Sequence, residues 1–231
     1  ESIEAIHEAL EQKNIGNCRA VVVIGCLSQK FGDELAKDMP DVDVLLGIGH
    51  QGKIGEAIDR ALSGEHLHEA GCPTQRWVEP GARVLATPPW TAYLKISDGC
   101  TNRCAYCAIP DIRGPYRSRP ENLILDEAKR LADSGVKEIV LVGQDLTQYG
   151  EDLNRHRELG RHPEPGRHPE LDSGSACIPD QARHDRTLAG LVRKLNDIDG
   201  IRWIRLMYCY PTKVTPELID TIAGCEKVVK Y

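Results

Sequence analysis

The chain has 231 residues, 41% of them hydrophobic, a net charge of -6 and nine cysteines. This suits a globular protein of one large domain or two small ones, and the acidic balance argues against a surface that binds polyanions throughout. No apolar run approaches the roughly 18 residues of a membrane span, and no charged-then-apolar leader opens the chain. The expectation is a cytoplasmic protein with no membrane contact, in a reducing compartment where clustered cysteines bind metal more often than they pair.

In chain order, Ile3, Ile6 and Leu10 recur at helical spacing and predict a helix over Ser2 to Gln12. The β-branched run Arg19 to Ile24 reads as a buried parallel strand, Gly25-Cys26 as a turn, and Lys30 to Asp38 as a helix. Val42 to Leu46 is the next strand and Ile54 to Ser63 the next helix. From His66 to about Thr91 four prolines interrupt the pattern, which predicts a linker. A strand restarts over Ala92 to Ile96, followed by a helix from Glu121 to Ser134 that Gly135 ends. Glu138 to Val142 is a strand, Leu188 to Asp197 a helix, Arg202 to Tyr208 a strand and Pro216 to Ala223 a helix. Lys227 to Tyr231 reads as a further strand, and that rhythm predicts part of a parallel barrel. The expected domains are 1–67, a linker over 68–91, and a partial barrel over 92–231. Both ends read as cuts through elements, so a piece of a longer protein is expected.

Residues 154–186 differ in character. Gly160-Arg161-His162-Pro163-Glu164 recurs as Gly166-Arg167-His168-Pro169-Glu170, in a stretch poor in apolar residues. Such a segment cannot bury enough surface to offset its ordering entropy, so a disordered insertion is expected. Four histidines there leave metal binding as the alternative.

Three cysteines carry the chemistry. Cys100, Cys104 and Cys107 stand within eight residues after the strand at Ala92 and an Asp98-Gly99 turn. Three thiolates on one loop can hold three irons of a four-iron cluster and leave the fourth iron open. The competing reading is structural zinc, with Cys209 or a histidine as fourth ligand. Gly47-Ile48-Gly49-His50-Gln51-Gly52 matches a dinucleotide fingerprint after a strand. The strand that should follow its helix looks absent, so these glycines are read as a tight turn and close packing.

Tyr93 to Cys100, Cys104-Ala105-Tyr106-Cys107-Ala108-Ile109-Pro110 and Ile112-Arg113-Gly114 together resemble the radical S-adenosylmethionine superfamily, and more narrowly the methylthiotransferases. Arg117-Ser118-Arg119-Pro120, Val142-Gly143-Gln144-Asp145 and Tyr208-Cys209-Tyr210-Pro211 extend the resemblance. Gln144-Asp145-Leu146-Thr147 with Tyr149-Gly150 resembles the branch that modifies an aspartate of a small-subunit ribosomal protein. The resemblance implies a partial three-layer α/β domain followed by an incomplete (β/α) barrel.

It also implies a [4Fe-4S] cluster on Cys100, Cys104 and Cys107, and S-adenosylmethionine chelated at the open iron. Tyr106 would pack near the adenine or in the core, and Gly143 and Gln144 would meet the cofactor's amino acid part. Arg113, Arg117 and Arg119 would bind a carboxylate, or cap and solvate. Gly25-Cys26-Leu27-Ser28-Gln29 resembles the third cysteine motif of a second [4Fe-4S] cluster that handles the inserted sulfur. Its other two ligands would lie before Glu1, with Cys18 and Cys72 structural. A flavodoxin-like electron donor is implied. The alternatives are the same reaction on an adenosine of transfer RNA, a non-catalytic zinc module, or an inactive fragment.

Overall fold

The computed structural model describes residues 1–70, 83–153 and 187–230. The expected insertion at 154–186, with its four histidines, lies outside them, as do Pro73, Pro80 and Cys72. The chain divides into two compact units, Glu1–Pro80 with Asn102–Pro115, and Gly81–Thr101 with Tyr116–Tyr231.

The first unit holds helix α1 (Ser2–Ile15), strand β1 (Val22–Ile24), α2 (Cys26–Asp38), β2 (Val44–Leu46), α3 (Ile54–Leu62) and β3 (Leu67–Glu69). The strands form a parallel sheet in the order β1-β2-β3, with Val22 opposite Val44 and Val44 opposite Leu67. Every residue of β2 is buried, as a central strand covered on both faces requires. Leu45 packs with Ile6 of α1 and Leu35 of α2. Val44 and Leu46 point the other way, onto Ala57 and Ala61 of α3. Alternation along three residues thus builds three layers.

Strand β3 lies inside the stretch expected to be a linker. Leu67-His68-Glu69 is too short and too polar to show a period, and only pairing with β2 makes it a strand. The strand thought absent after the glycine-rich run is therefore present. The run itself forms a 3-10 turn over Ile48–Lys53. At Gly47 a Cβ would collide with the Ala70 carbonyl and the Gln29 carboxamide. That glycine serves close packing between strand ends, as expected, though for a different reason.

The second unit contains β4 (Thr91–Lys95), β5 (Ser97–Asp98), β6 (Arg117–Ser118), α5 (Glu121–Asp133), β7 (Glu138–Val142), α6 (Leu188–Asn196), β8 (Trp203–Leu206) and α7 (Pro216–Gly224). A short helix α4 (Ile109–Arg113), which precedes α5 in the chain, falls in the first unit. The parallel sheet runs β4-β7-β8, with Ala92, Ile139 and Ile204 in register, then Leu94, Leu141 and Leu206. This face packs on Ile124, Ala128, Leu191, Leu195 and Leu218 of the helices. Each fully buried side chain there contributes about 1.5–3 kcal/mol. Thr187 and Thr215 cap α6 and α7 by accepting from the backbone N–H of Gly190 and Leu218.

The opposite face carries Thr91, Tyr93, Glu138, Val140, Trp203 and Arg205. Tyr93 and Trp203 are about half exposed, and Glu138 pairs with Arg205. The expected strand at Lys227 to Tyr231 is reduced to one bridge, Val228 beside Ile204, among the described residues.

Candidate metal and cofactor site

Cys100 follows β5, which pairs antiparallel with β6. The carboxylate of Asp98 caps the turn by accepting from the Gly99 N–H at 2.9 Å. Its other oxygen accepts from Lys95 Nζ at 2.7 Å, with an Arg117 guanidinium nitrogen 3.9 Å away. Gly99 takes φ 72° and Arg103 φ 48°. A left-handed arginine is uncommon and costs roughly 1–3 kcal/mol, a strain typical of segments shaped for binding. The Cys107 N–H donates to the Cys104 carbonyl at 3.0 Å, closing the loop's second turn.

All three thiols are free and half-buried. Among the described residues no three Cys, His, Asp or Glu side chains stand close enough to hold a metal ion. Cys209, the fourth ligand of the zinc reading, lines the hydrophobic core. Burial, and then the nearby charge of Asp145, pushes its thiol pKa up, which holds it protonated.

The other expected site residues separate clearly. Tyr106 is 92% exposed, so it does not pack in the core. Arg119 is 3% exposed and paired with Glu127, which also meets Arg83 at 3.1 Å. It is a structural group, and neither a solvated one nor a free anion receptor. Arg113 donates to Cys26 Sγ at 3.2 Å. Cys26 is the first residue of α2, which starts four residues before the expected Lys30.

Gly143 and Gln144 follow the C-terminal end of β7, the end at which parallel α/β folds place ligands. A Cβ at Gly143 would overlap Ser97 Oγ, so only glycine lets the two segments touch. The Gln144 carboxamide oxygen is buried without a hydrogen-bond partner among the described residues. An unsatisfied buried acceptor costs about 1–3 kcal/mol and invites a donor from outside the chain.

The sequence reading missed the polar cluster beneath Cys100. Asp145 is 2% exposed and Gln148 1%. The Gln148 amide donates to Asp145 at 2.8 Å and faces Cys100 Sγ at 3.9 Å. Its oxygen accepts from the Thr101 hydroxyl. Gln148 stands within the run Gln144 to Gly150 on which the resemblance rests, but nothing in a linear run tells which glutamine turns inward. Tyr208, at the end of β8, takes φ 64° and its carbonyl accepts from the Leu146 N–H at 3.0 Å.

Residues 94–224 match the Radical SAM superfamily. The chain belongs to that superfamily. It is 42% identical over 231 residues to the ribosomal protein uS12 methylthiotransferase RimO of Symbiobacterium thermophilum. It is 40% identical over 231 residues to the protein of the same name from Desulforudis audaxviator. All of this chain is covered, but only 42% and 45% of those proteins, so the chain spans less than half their length. In fold it is similar to the radical S-adenosylmethionine methyltransferase TsrM of Kitasatospora setae. The TM-score is 0.59 over 98% of this chain and 43% of that one, at 14% identity.

Membership of the superfamily brings a [4Fe-4S] cluster and S-adenosylmethionine as cofactors. The residues present fit that group in number and kind. One loop offers three thiols that are in no disulfide, the ligand type that iron-sulfur clusters take. No helix among the described residues is long and apolar enough to cross a membrane.

Proposed function

We propose that this chain is the cluster-bearing part of a radical S-adenosylmethionine methylthiotransferase that adds a methylthio group to the β-carbon of an aspartate in ribosomal protein uS12. The observation that carries the reading is the identity of 42% across all 231 residues to an enzyme named for that reaction, with the three-cysteine loop inside the superfamily match. Cys100, Cys104 and Cys107 hold the cluster. When bound, the cluster and S-adenosylmethionine supply a one-electron route to a carbon radical able to take hydrogen from an unactivated C–H bond.

The chain's own groups then bind and orient. The orphan oxygen of Gln144 accepts from the amino group of S-adenosylmethionine, and the bare backbone at Gly143 keeps that strand end close to Ser97. The exposed ring of Tyr106 offers a stacking face for the adenine. Cys26 is one ligand of a second [4Fe-4S] cluster, and Arg113 steadies its sulfur. A flavodoxin-like protein supplies electrons, in the reducing cytoplasm. The relatives named above modify a protein, which favours uS12 over the transfer RNA alternative.

Anaerobic reconstitution with iron and sulfide tests this reading. The expected product is a brown protein whose visible absorbance disappears in Cys104→Ala. Added S-adenosylmethionine should yield 5′-deoxyadenosine, and uS12 incubated with the loaded protein should gain the mass of a methylthio group. A colourless protein holding one zinc ion would overturn the proposal.

A further inference from the structure

We propose that Gln148 is a positioning residue for the cluster ligand Cys100, and that its amide N–H tunes the cluster's reduction potential. The inference rests on the reading of Cys100 as a cluster ligand, and every group it uses lies in the second unit.

The orientation of the Gln148 carboxamide is fixed by its neighbours. The –NH2 end faces Asp145 and donates to its Oδ2 at 2.8 Å, and the oxygen faces the Thr101 hydroxyl and accepts from it. That leaves one of the two amide N–H bonds, and it is directed at Cys100 Sγ. Asp145 is itself held. Its other oxygen, Oδ1, accepts from the Thr147 N–H at 3.0 Å and from the Thr147 hydroxyl. Gln148 therefore cannot swing away without breaking bonds to a buried carboxylate. Thr101 directly follows Cys100 in sequence, so the same carboxamide holds the loop at the ligand and at the residue after it.

A neutral donor beside a thiolate favours the more negative, reduced cluster, because hydrogen bonds to the sulfurs are among the terms that set such potentials. Removing the donor should make the cluster harder to reduce.

The test uses the full 231-residue chain, reconstituted anaerobically, and Gln148→Met, which keeps volume and loses both N–H bonds. Redox titration followed by electron paramagnetic resonance reads the result. At a fixed potential the ratio of reduced to oxidised cluster should fall roughly tenfold, about 59 mV for a one-electron couple, with altered g-values of the reduced state. Gln148→Glu, which restores the oxygen contact to Thr101 but not the donor, should not recover the potential. Thr101→Val, which leaves the N–H in place, should shift the potential in the same direction by a smaller amount. It decides the matter if Gln148→Met does not fold. Unchanged potential and g-values in Gln148→Met, with a normal cluster content, would overturn the proposal. If the unsubstituted chain takes up no cluster at all, the parent reading fails instead, and this inference with it.

Discussion

Replacing Gly143 by alanine should destabilise the protein, and the reason can be isolated with a second substitution. Gly143 has no left-handed backbone requirement among the glycines with positive φ. Alanine alone would then stabilise by about 0.4–1 kcal/mol through the unfolded chain. Against this, the new Cβ would overlap Ser97 Oγ and sit 3.2 Å from Leu146 Cδ2. Both neighbours are fully buried, so neither can move into solvent. Overpacking of this kind costs about 1–3 kcal/mol, and the net loss should be about 1–2 kcal/mol.

Ser97→Ala removes the obstructing atom, and Ser97 Oγ is buried without a hydrogen-bond partner of good geometry. The serine substitution by itself should therefore be close to neutral. In that background only the contacts to Leu146 at 3.2 Å and to Ser97 Cβ at 3.4 Å remain, and Gly143→Ala should cost a few tenths of a kcal/mol at most. The coupling of about 1–2 kcal/mol exceeds the roughly 0.3–0.5 kcal/mol within which independent sites add. Urea titrations of the four proteins measure it, read by the fluorescence of Trp90 and Trp203, which both lie in this unit. Equal costs in the two backgrounds would refute the steric account of Gly143.

Arg119→Met, which leaves buried Glu127 paired only with Arg83, should cost about 1.5–3 kcal/mol in the same titration, whereas Arg83→Met, at the exposed side of the same carboxylate, should cost less than about 1 kcal/mol. Tyr149→Phe removes a buried hydroxyl that donates to the Arg119 carbonyl at 3.0 Å and should cost about 1 kcal/mol by chemical melt. Asp43 accepts from Lys13 Nζ at 2.8 Å and from the Val21 N–H at 2.7 Å. Burial works to raise its pKa, but the Lys13 and Val21 hydrogen bonds and the Lys13 charge together hold it below its ordinary value of 3.8. A depressed carboxylate contributes stability above the unfolded pKa and loses it as pH falls through the folded one. Asp43→Asn should therefore be less stable at pH 7 by about 1.5 kcal/mol, with the gap closing as melts are repeated toward pH 3. A gap that stays constant with pH would place the cost in packing.

The elements with strong periodicity were legible to within a few residues. Glu138–Val142 was read with its observed bounds, because four apolar residues in a row between a glycine-ended helix and Gly143 have one good solution. Thiol number and spacing were legible too, since they are properties of a loop and need no fold. Elements held by partners were not. Strand β3 exists only through its ladder to β2, and β5 and β6 are two residues each, joined by Ser97 opposite Ser118 and Asp98 opposite Arg117. Helix α4 has five residues, too few for a period to show.

The site divides in the same way. Sequence by itself determined what chemistry is on offer: three soft ligands on one loop, a lone cysteine after a strand, and a glycine-glutamine step after another strand. Tertiary structure decided which polar groups are buried and what they face. It put Arg119 in an ion pair with Glu127, turned Tyr106 outward, and left the Gln144 oxygen unpaired. It also set Gln148 between Asp145 and Cys100. Those outcomes depend on contacts 3 to 48 positions apart along the chain. Spacing along the chain carries ligand number, but burial and hydrogen-bond direction come from segments that only folding brings side by side.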